Sequence, residues 1–249
     1  MNLPASGSQD RLINALAAEN PNIIVINSTG SPISMPWLSD VPAIIQAWFG
    51  GQEAGNSIVD ILFGAVNPSG KLPVSFPKTE EDSASYRNFP GNQLTDQVTY
   101  KESIKIGYRY FDCYPERVTF PFGFGLSYTE FEIETVGVVQ AKGVLIDVEV
   151  RNIGARSGSE VVQLYVSSPV RSVEMPVKEL KGYVKVAVEA GGTRNIQLRV
   201  EARKLAYWDV LSSMWMVEKG VYAVLVGNSS VSVEEAGKFV VERTFCFGP

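Results

Sequence analysis

The stretch AIIQAWFGGQEAGNSIVDILFG, residues 43–64, decides the fold. Residues 43–49 are apolar apart from Gln46, the near-unbroken hydrophobicity of a parallel strand covered on both faces. Gly50-Gly51 turns the chain into a helix whose first turn holds Gln52 and Glu53, where a carboxylate suits the positive end of the helix dipole. Ile58, Ile61 and Leu62 fall on one stripe of that helix. Gly64 stands where a helix C-terminus takes a left-handed residue. Strand, glycine turn and helix in this order belong to an α/β layer.

Upstream, Ser8 or Asp10 caps a helix with Leu12, Ile13, Leu16 and Ala17 on one face. Asn20-Pro21 ends it, because proline disfavours the helical region for its predecessor. Ile23-Ile24-Val25-Ile26 then reads as a second buried strand. Residues 1–80 therefore form a partial α/β sandwich domain, a few-stranded sheet with flanking helices. Two strands and two helices cannot cover such a sheet on both faces. This half is expected to lean on the rest of the chain, on a second copy (a homo-oligomer), or on a missing-domain partner.

Residues 81–130 form an aromatic, turn-rich connector with little periodicity. From Phe131 the pattern changes to short alternating strands, at 144–151, 161–166, 183–188, 195–200, 222–226 and 238–243. Gly, Asn and Ser clusters separate them. Residues 131–249 thus read as an all-β sandwich, and without a Cys…Trp…Cys pattern the fibronectin III-like kind is favoured.

Composition narrows the chemistry. The chain has 249 residues, with 22 Lys and Arg against 27 Asp and Glu, a net charge of −5. Nucleic-acid binding is not expected, since that task concentrates cations. The longest apolar runs are too short to span a bilayer. No histidine is present, which excludes Ser-His-Asp and Cys-His nucleophiles and argues against zinc. Cys113 and Cys246 alone make no disulfide framework. Gly50-Gly51 is not followed by the Lys and Ser/Thr of a phosphate loop, so neither metal nor cofactor is expected. No secretory leader follows Met1. A cytoplasmic location is expected if this is the whole product, and an extracellular one if it is part of a secreted parent.

Acid–base chemistry must then come from Asp, Glu, Tyr, Lys or Cys. Glu102, Tyr108, Arg109, Tyr110 and Asp112 form the densest candidate cluster. An arginine between tyrosines can hold a carboxylate or a polar ligand, or simply pair with Asp112 to tie down the connector. Glu53 is a candidate acid or a helix-terminal carboxylate held by the dipole. Trp37 and Trp48 are candidate stacking surfaces for a small-molecule ligand or carbohydrate, although Trp48 sits in a predicted strand.

Several runs resemble family 3 glycoside hydrolases of the β-glucosidase type. Residues 50–64, the run Asn67-Pro68-Ser69-Gly70-Lys71-Leu72-Pro73 and its continuation to Pro77 are similar to the second domain of that family. Gly107-Tyr108-Arg109-Tyr110-Phe111-Asp112 and residues 120–128 resemble the segment leading into the third. Lys178-Glu179-Leu180-Lys181-Gly182-Tyr183 and residues 220–224 resemble its fibronectin III-like domain. Ser103 and Lys105 depart from the family pattern, which more often has Gly and an aromatic there.

The resemblance implies a (β/α)₈ barrel carrying an Asp nucleophile and an α/β sandwich carrying a Glu acid/base. It also implies retaining cleavage of β-glucosides, which needs both carboxylates. It places the nucleophile outside this chain and the acid/base just before Met1-Asn2-Leu3-Pro4-Ala5. Three roles remain open: a β-glucosidase-like C-terminal region that does not hydrolyse glycosides alone, a scaffold repurposed for a non-hydrolytic cyclisation or isomerisation, and a binding module. An unbroken open pattern from Met1 to the last strand favours the second of these.

Overall fold

A computed structural model describes residues 8–86, 88–91, 95, 97–140, 143–169 and 173–248. The chain divides into two units, one running to Val66 and resuming over Pro73–Phe122, the other made of Asn67–Leu72 and Gly123 onward. These divisions differ from the three segments read from the sequence. The aromatic connector is split at Phe122–Gly123, and the short Asn67–Leu72 run leaves the first unit for the second.

In the first unit, α1 (Ser8–Glu19) ends at the expected Asn20, whose backbone N–H reaches Leu16 O at 2.8 Å. Strand β1 (Ile24–Asn27) pairs in parallel with β2 (Ala43–Gln46), Ile24 opposite Ala43 and Asn27 opposite Gln46. The expected second strand runs to residue 49 but stops at Gln46. Trp48 takes a left-handed φ of 53°, and its carbonyl accepts from Ser28 Oγ at 2.9 Å, which turns the chain out of the sheet. Helix α2 (Ala54–Leu62) follows, and Gly64 closes it with φ 73° and a bond to Ile61 O.

Farther on, β3 (Phe76–Pro77) and β4 (Val118–Phe120) pair antiparallel, with the short α3 (Tyr108–Phe111) between them in sequence. Trp37, Phe76, Ile33, Met35, Val41 and Phe111 are buried in this unit. By contrast, no residue of α1 or α2 is buried. Leu12, Leu16, Ile24, Val59 and Phe63 are exposed, the last at 85%. Ile58, Ile61 and Leu62 are only half-buried, so the stripe expected to be covered is covered in part.

The second unit begins with β5 (Phe131–Gln140), β6 (Val144–Asn152), β7 (Gly158–Ser167), β8 (Glu179–Val188) and β9 (Thr193–Val200). It ends with β10 (Tyr207–Asp209), β11 (Met214–Val217), β12 (Gly220–Gly227), β13 (Val233–Val241) and β14 (Phe245–Phe247). They form antiparallel sheets in the orders β5-β6-β9, β13-β12-β7-β8 and β10-β11-β14. Along β6, Val144, Ile146, Val148 and Val150 are buried and alternate with less buried residues, the period-2 signature of a sheet with one face on a core. They join Val162, Leu164, Val166, Leu198, Tyr222 and Val224 in one cluster.

Central strand β7 is covered on its other face too. Gln163 and Tyr165 are buried, and the Tyr165 hydroxyl donates to Gln163 Oε1 at 2.6 Å. Gly123, at φ 82°, approaches so closely that a Cβ there would collide with the Gln163 amide.

Polar anchors fix the Asn67–Leu72 run onto this unit. Asn67 Oδ1 accepts from Ser127 Oγ and Tyr128 N, while its Nδ2 donates to Ser157 O. Lys71 Nζ lies 2.8 Å from Glu160 Oε1 and donates to Gly125 O at 2.9 Å, with side-chain exposures of 11% for Lys71 and 6% for Glu160. Leu72 exchanges backbone bonds with Gly123 and Phe124. Removing one member of a buried pair strands the other charge. Lys71→Met is therefore expected to cost about 3–5 kcal/mol of stability, while Lys71→Met with Glu160→Leu recovers most of it. Urea unfolding of the three proteins checks this.

Between β10 and β11 the turn is capped by Asp209, whose carboxylate accepts from the Ser212 hydroxyl and from Ser212 N at 2.9 Å. Those two bonds hold its pKa below the ordinary 3.8. A carboxyl pKa lowered by folding contributes stability above the unfolded value and loses it as pH falls through the folded one. The Ser212 amide resonance should accordingly shift in an acid titration with a midpoint below the usual aspartate range. A midpoint at or above that range contradicts the cap.

Candidate functional site

The residues singled out in the sequence do not converge on one pocket. Trp37 is 1% exposed and its indole N–H donates to Asp10 Oδ1 at 2.9 Å, so its ring faces are closed to a ligand. Trp48 is half-buried and meets Phe76 edge-on, centroids 6.0 Å apart. Glu53, exposed at the N-terminus of α2, accepts from Asn56 Nδ2 at 2.6 Å.

Tyr108, Arg109 and Tyr110 open α3, and Asp112 follows as its C-terminal residue, with its backbone N–H on Tyr108 O. Tyr108 packs on Phe122 at 5.2 Å. Tyr110 meets Phe111 and Tyr114 at 5.2 and 4.8 Å. Arg117, outside the residues singled out in the sequence, is a cation set among these tyrosines. Its Nη1 donates to the Tyr110 hydroxyl at 2.6 Å, and its guanidinium lies 4.9 Å from the Tyr114 ring centroid. Asp82 and Glu116 stand 4.0 and 3.6 Å from its Nε. The Tyr110 hydrogen bond, foremost, pushes the Arg117 pKa further up. A permanently charged cation braced by rings and carboxylates holds a loop in place rather than moving a proton.

Glu102 is different. It lines a cavity of about 280 Å³ together with Ser85, Asn88, Phe89, Thr99 and Tyr100, and accepts from Asn88 Nδ2 at 3.0 Å. Phe89 and Tyr100 are largely exposed rings. Ser103, next to Glu102, is in the left-handed region at φ 51°, a strained conformation of the kind that gathers at binding sites. Glu102 is the one carboxylate in the described lining. Asn88 and Phe89 lie outside the cluster chosen from sequence because the loop that returns them to Glu102 has no periodicity to read.

A second cavity, about 390 Å³, opens between β5 and β13, with Glu134, Glu234, Glu235, Asn228 and Phe131 in its lining. Glu235 is ion-paired to Lys238 at 3.2 Å. Among the described residues, no three His, Cys, Asp or Glu side chains are grouped to hold a metal ion.

A parallel α/β pair followed by a fibronectin III-like sandwich defines the class of protein, and comparison with known proteins is consistent with it. The glycosyl hydrolase family 3 C-terminal domain matches residues 1–128, and the fibronectin type III-like domain matches residues 160–230. This chain belongs to glycosyl hydrolase family 3.

It is 45% identical over 239 residues to beta-glucosidase B of Emericella nidulans, covering 91% of this chain and 28% of that protein. It is 42% identical over 235 residues to thermostable beta-glucosidase B of Acetivibrio thermocellus, covering 92% and 31%. The crystal structure of beta-glucosidase from Kluyveromyces marxianus in complex with glucose superposes with a TM-score of 0.92 at 39% identity, over 96% of this chain and 29% of that one. Beta-glucosidase 3B from Thermotoga neapolitana in complex with alpha-D-glucose gives 0.92 at 34% identity, over 100% and 35%. The chain thus spans about a third or less of each of these proteins. The Leu3-Pro4 stretch, which the resemblance sets beside the acid/base, lies outside the described residues.

Tyr110→Phe keeps the ring contacts and removes the acceptor for Arg117. The expected outcome is a small loss of stability, read as a lower urea midpoint with unchanged slope.

Proposed function

We propose that this chain is the C-terminal region of a β-glucosidase-type glycosyl hydrolase and does not cleave β-glucosides by itself. The observation that carries the reading is the family match to the C-terminal domain combined with coverage of only 28% of the Emericella relative. Retaining hydrolysis needs a nucleophile and an acid/base about 5–5.5 Å apart across one sugar-binding site. Glu53 and Glu102 each engage an asparagine instead, and the cavity beside Glu102 has a single carboxylate in its described lining. The incompletely covered α1, β1 and α2 also support a role within a larger assembly, since a two-stranded parallel sheet does not bury its own faces.

A second reading, the binding of a small hydroxylated ligand such as a sugar, rests on Phe89, Tyr100 and Glu102 sharing one cavity. Incubation of the purified chain with p-nitrophenyl β-glucoside tests the main proposal. Release of nitrophenol at the buffer rate is expected. Saturable turnover, at the 1–1,000 per second range of ordinary enzymes, overturns it.

A further inference from the structure

The cavity beside Glu102 is walled by two turns that are distant in sequence. In one, the backbone N–H groups of Asn88 and Phe89 both return to Ser85 O, at 2.9 and 3.1 Å. In the other, Lys101 N reaches Thr99 O, Ser103 N reaches Tyr100 O and Lys105 N reaches Glu102 O, at 3.0, 3.3 and 2.9 Å. The bond from Asn88 Nδ2 to Glu102 Oε2, 3.0 Å long, ties the two turns together. The walls are thus set before any ligand arrives, and little ordering entropy remains to be lost on binding.

The lining selects a ligand class. Phe89 and Tyr100 are 74% and 79% exposed, so their rings have apolar surface still to be covered. A carboxylate accepts from about four donors, and Asn88 supplies one to Glu102. The described lining contains no Lys or Arg, so an anionic ligand would meet Glu102 with no charge to offset it. A quaternary ammonium suits rings and a carboxylate, but it makes no use of the Ser85 and Thr99 hydroxyls that share the cavity. A sugar ring uses every group: its C–H face covers an aromatic ring, and its hydroxyls both donate and accept. At about 280 Å³ the cavity is at the small end of ligand clefts, about 300–1,000 Å³, which suits one ring rather than a chain of them. On the reading that this cavity takes a small hydroxylated ligand, we propose that the ligand is a single pyranose. Two adjacent hydroxyls donate to Glu102, and the C–H face lies on Tyr100.

Titration of the isotope-labelled 249-residue chain with methyl β-D-glucopyranoside, followed by amide NMR, tests the proposal without reference to hydrolysis. Saturable shifts confined to residues 85–89 and 98–105 are expected. About twelve non-hydrogen atoms at the efficiency of ordinary ligands give a dissociation constant on the order of millimolar. Glu102→Gln, which keeps an acceptor for Asn88, is expected to weaken binding about tenfold. Tyr100→Ala, at an exposed position, weakens it about fivefold or more. Three results overturn the proposal: no saturable shift at 100-fold molar excess over the expected constant, shifts indifferent to both substitutions, or tighter binding of choline at the same amides. Glycerol moving these amides as strongly as the pyranoside overturns the pyranose while leaving the hydroxylated-ligand reading in place. Failure of glycerol and pyranoside alike removes both.

Discussion

Val144, Ile146, Val148 and Val150 of β6, packed in one cluster with Val162, Leu164 and Val166 of β7 and Val224 of β12, are the contact on which the second unit depends. A β-layer is stable when an apolar face meets another layer. These strands meet that condition with side chains 0–3% exposed. The outer face of β7 is sealed as well, by the Gly123 approach and the Tyr165–Gln163 bond. Lys71 and Asn67 then attach a run that is distant in sequence from those strands, without asking it for apolar surface. Burying each such side chain is worth about 1.5–3 kcal/mol, so the sandwich supplies most of the hydrophobic stabilisation.

The first unit obeys the same requirement less completely. Its parallel pair places Val25 and Ile45 half-buried and leaves Ile24 exposed. Its two amphipathic helices have no fully buried position. What holds this unit is a smaller group around Trp37 and Phe76, with Arg117 braced by Tyr110 and Tyr114 in the loop that follows. That imbalance leaves the first unit with a smaller buried apolar group than the second.

Much of the architecture was legible in the amino acids. Both parallel strands and both helices follow from periodicity, the glycine that ends α2 follows from its left-handed C-terminal position, and six sandwich strands follow from alternation, whereas Ser8 and Asp10, expected as caps, lie inside α1. Their ends were less legible. β2 stops early because Trp48 adopts a backbone conformation that residue type does not announce. β10, β11 and β14 were missed because three or four residues cannot display a period. Site residues were harder still. Arg117 donates to the Tyr110 hydroxyl seven positions away, a pairing that the sequence pattern around Arg109 does not announce. Trp37 looked available and is buried, because its indole N–H found Asp10 across 27 positions of chain. Such pairings depend on tertiary return of the chain and leave no local signal.

Amide hydrogen exchange of the 249-residue chain tests the central claim, that the sandwich covers its own core while the α/β layer is covered only in part. Opening free energies follow local burial. The account predicts slow exchange with one common rate limit across β6, β7 and β12, and exchange faster by several orders of magnitude in α1, α2 and the β1–β2 pair. Equal protection of β1–β2 and β6–β7 in the monomeric protein would contradict it.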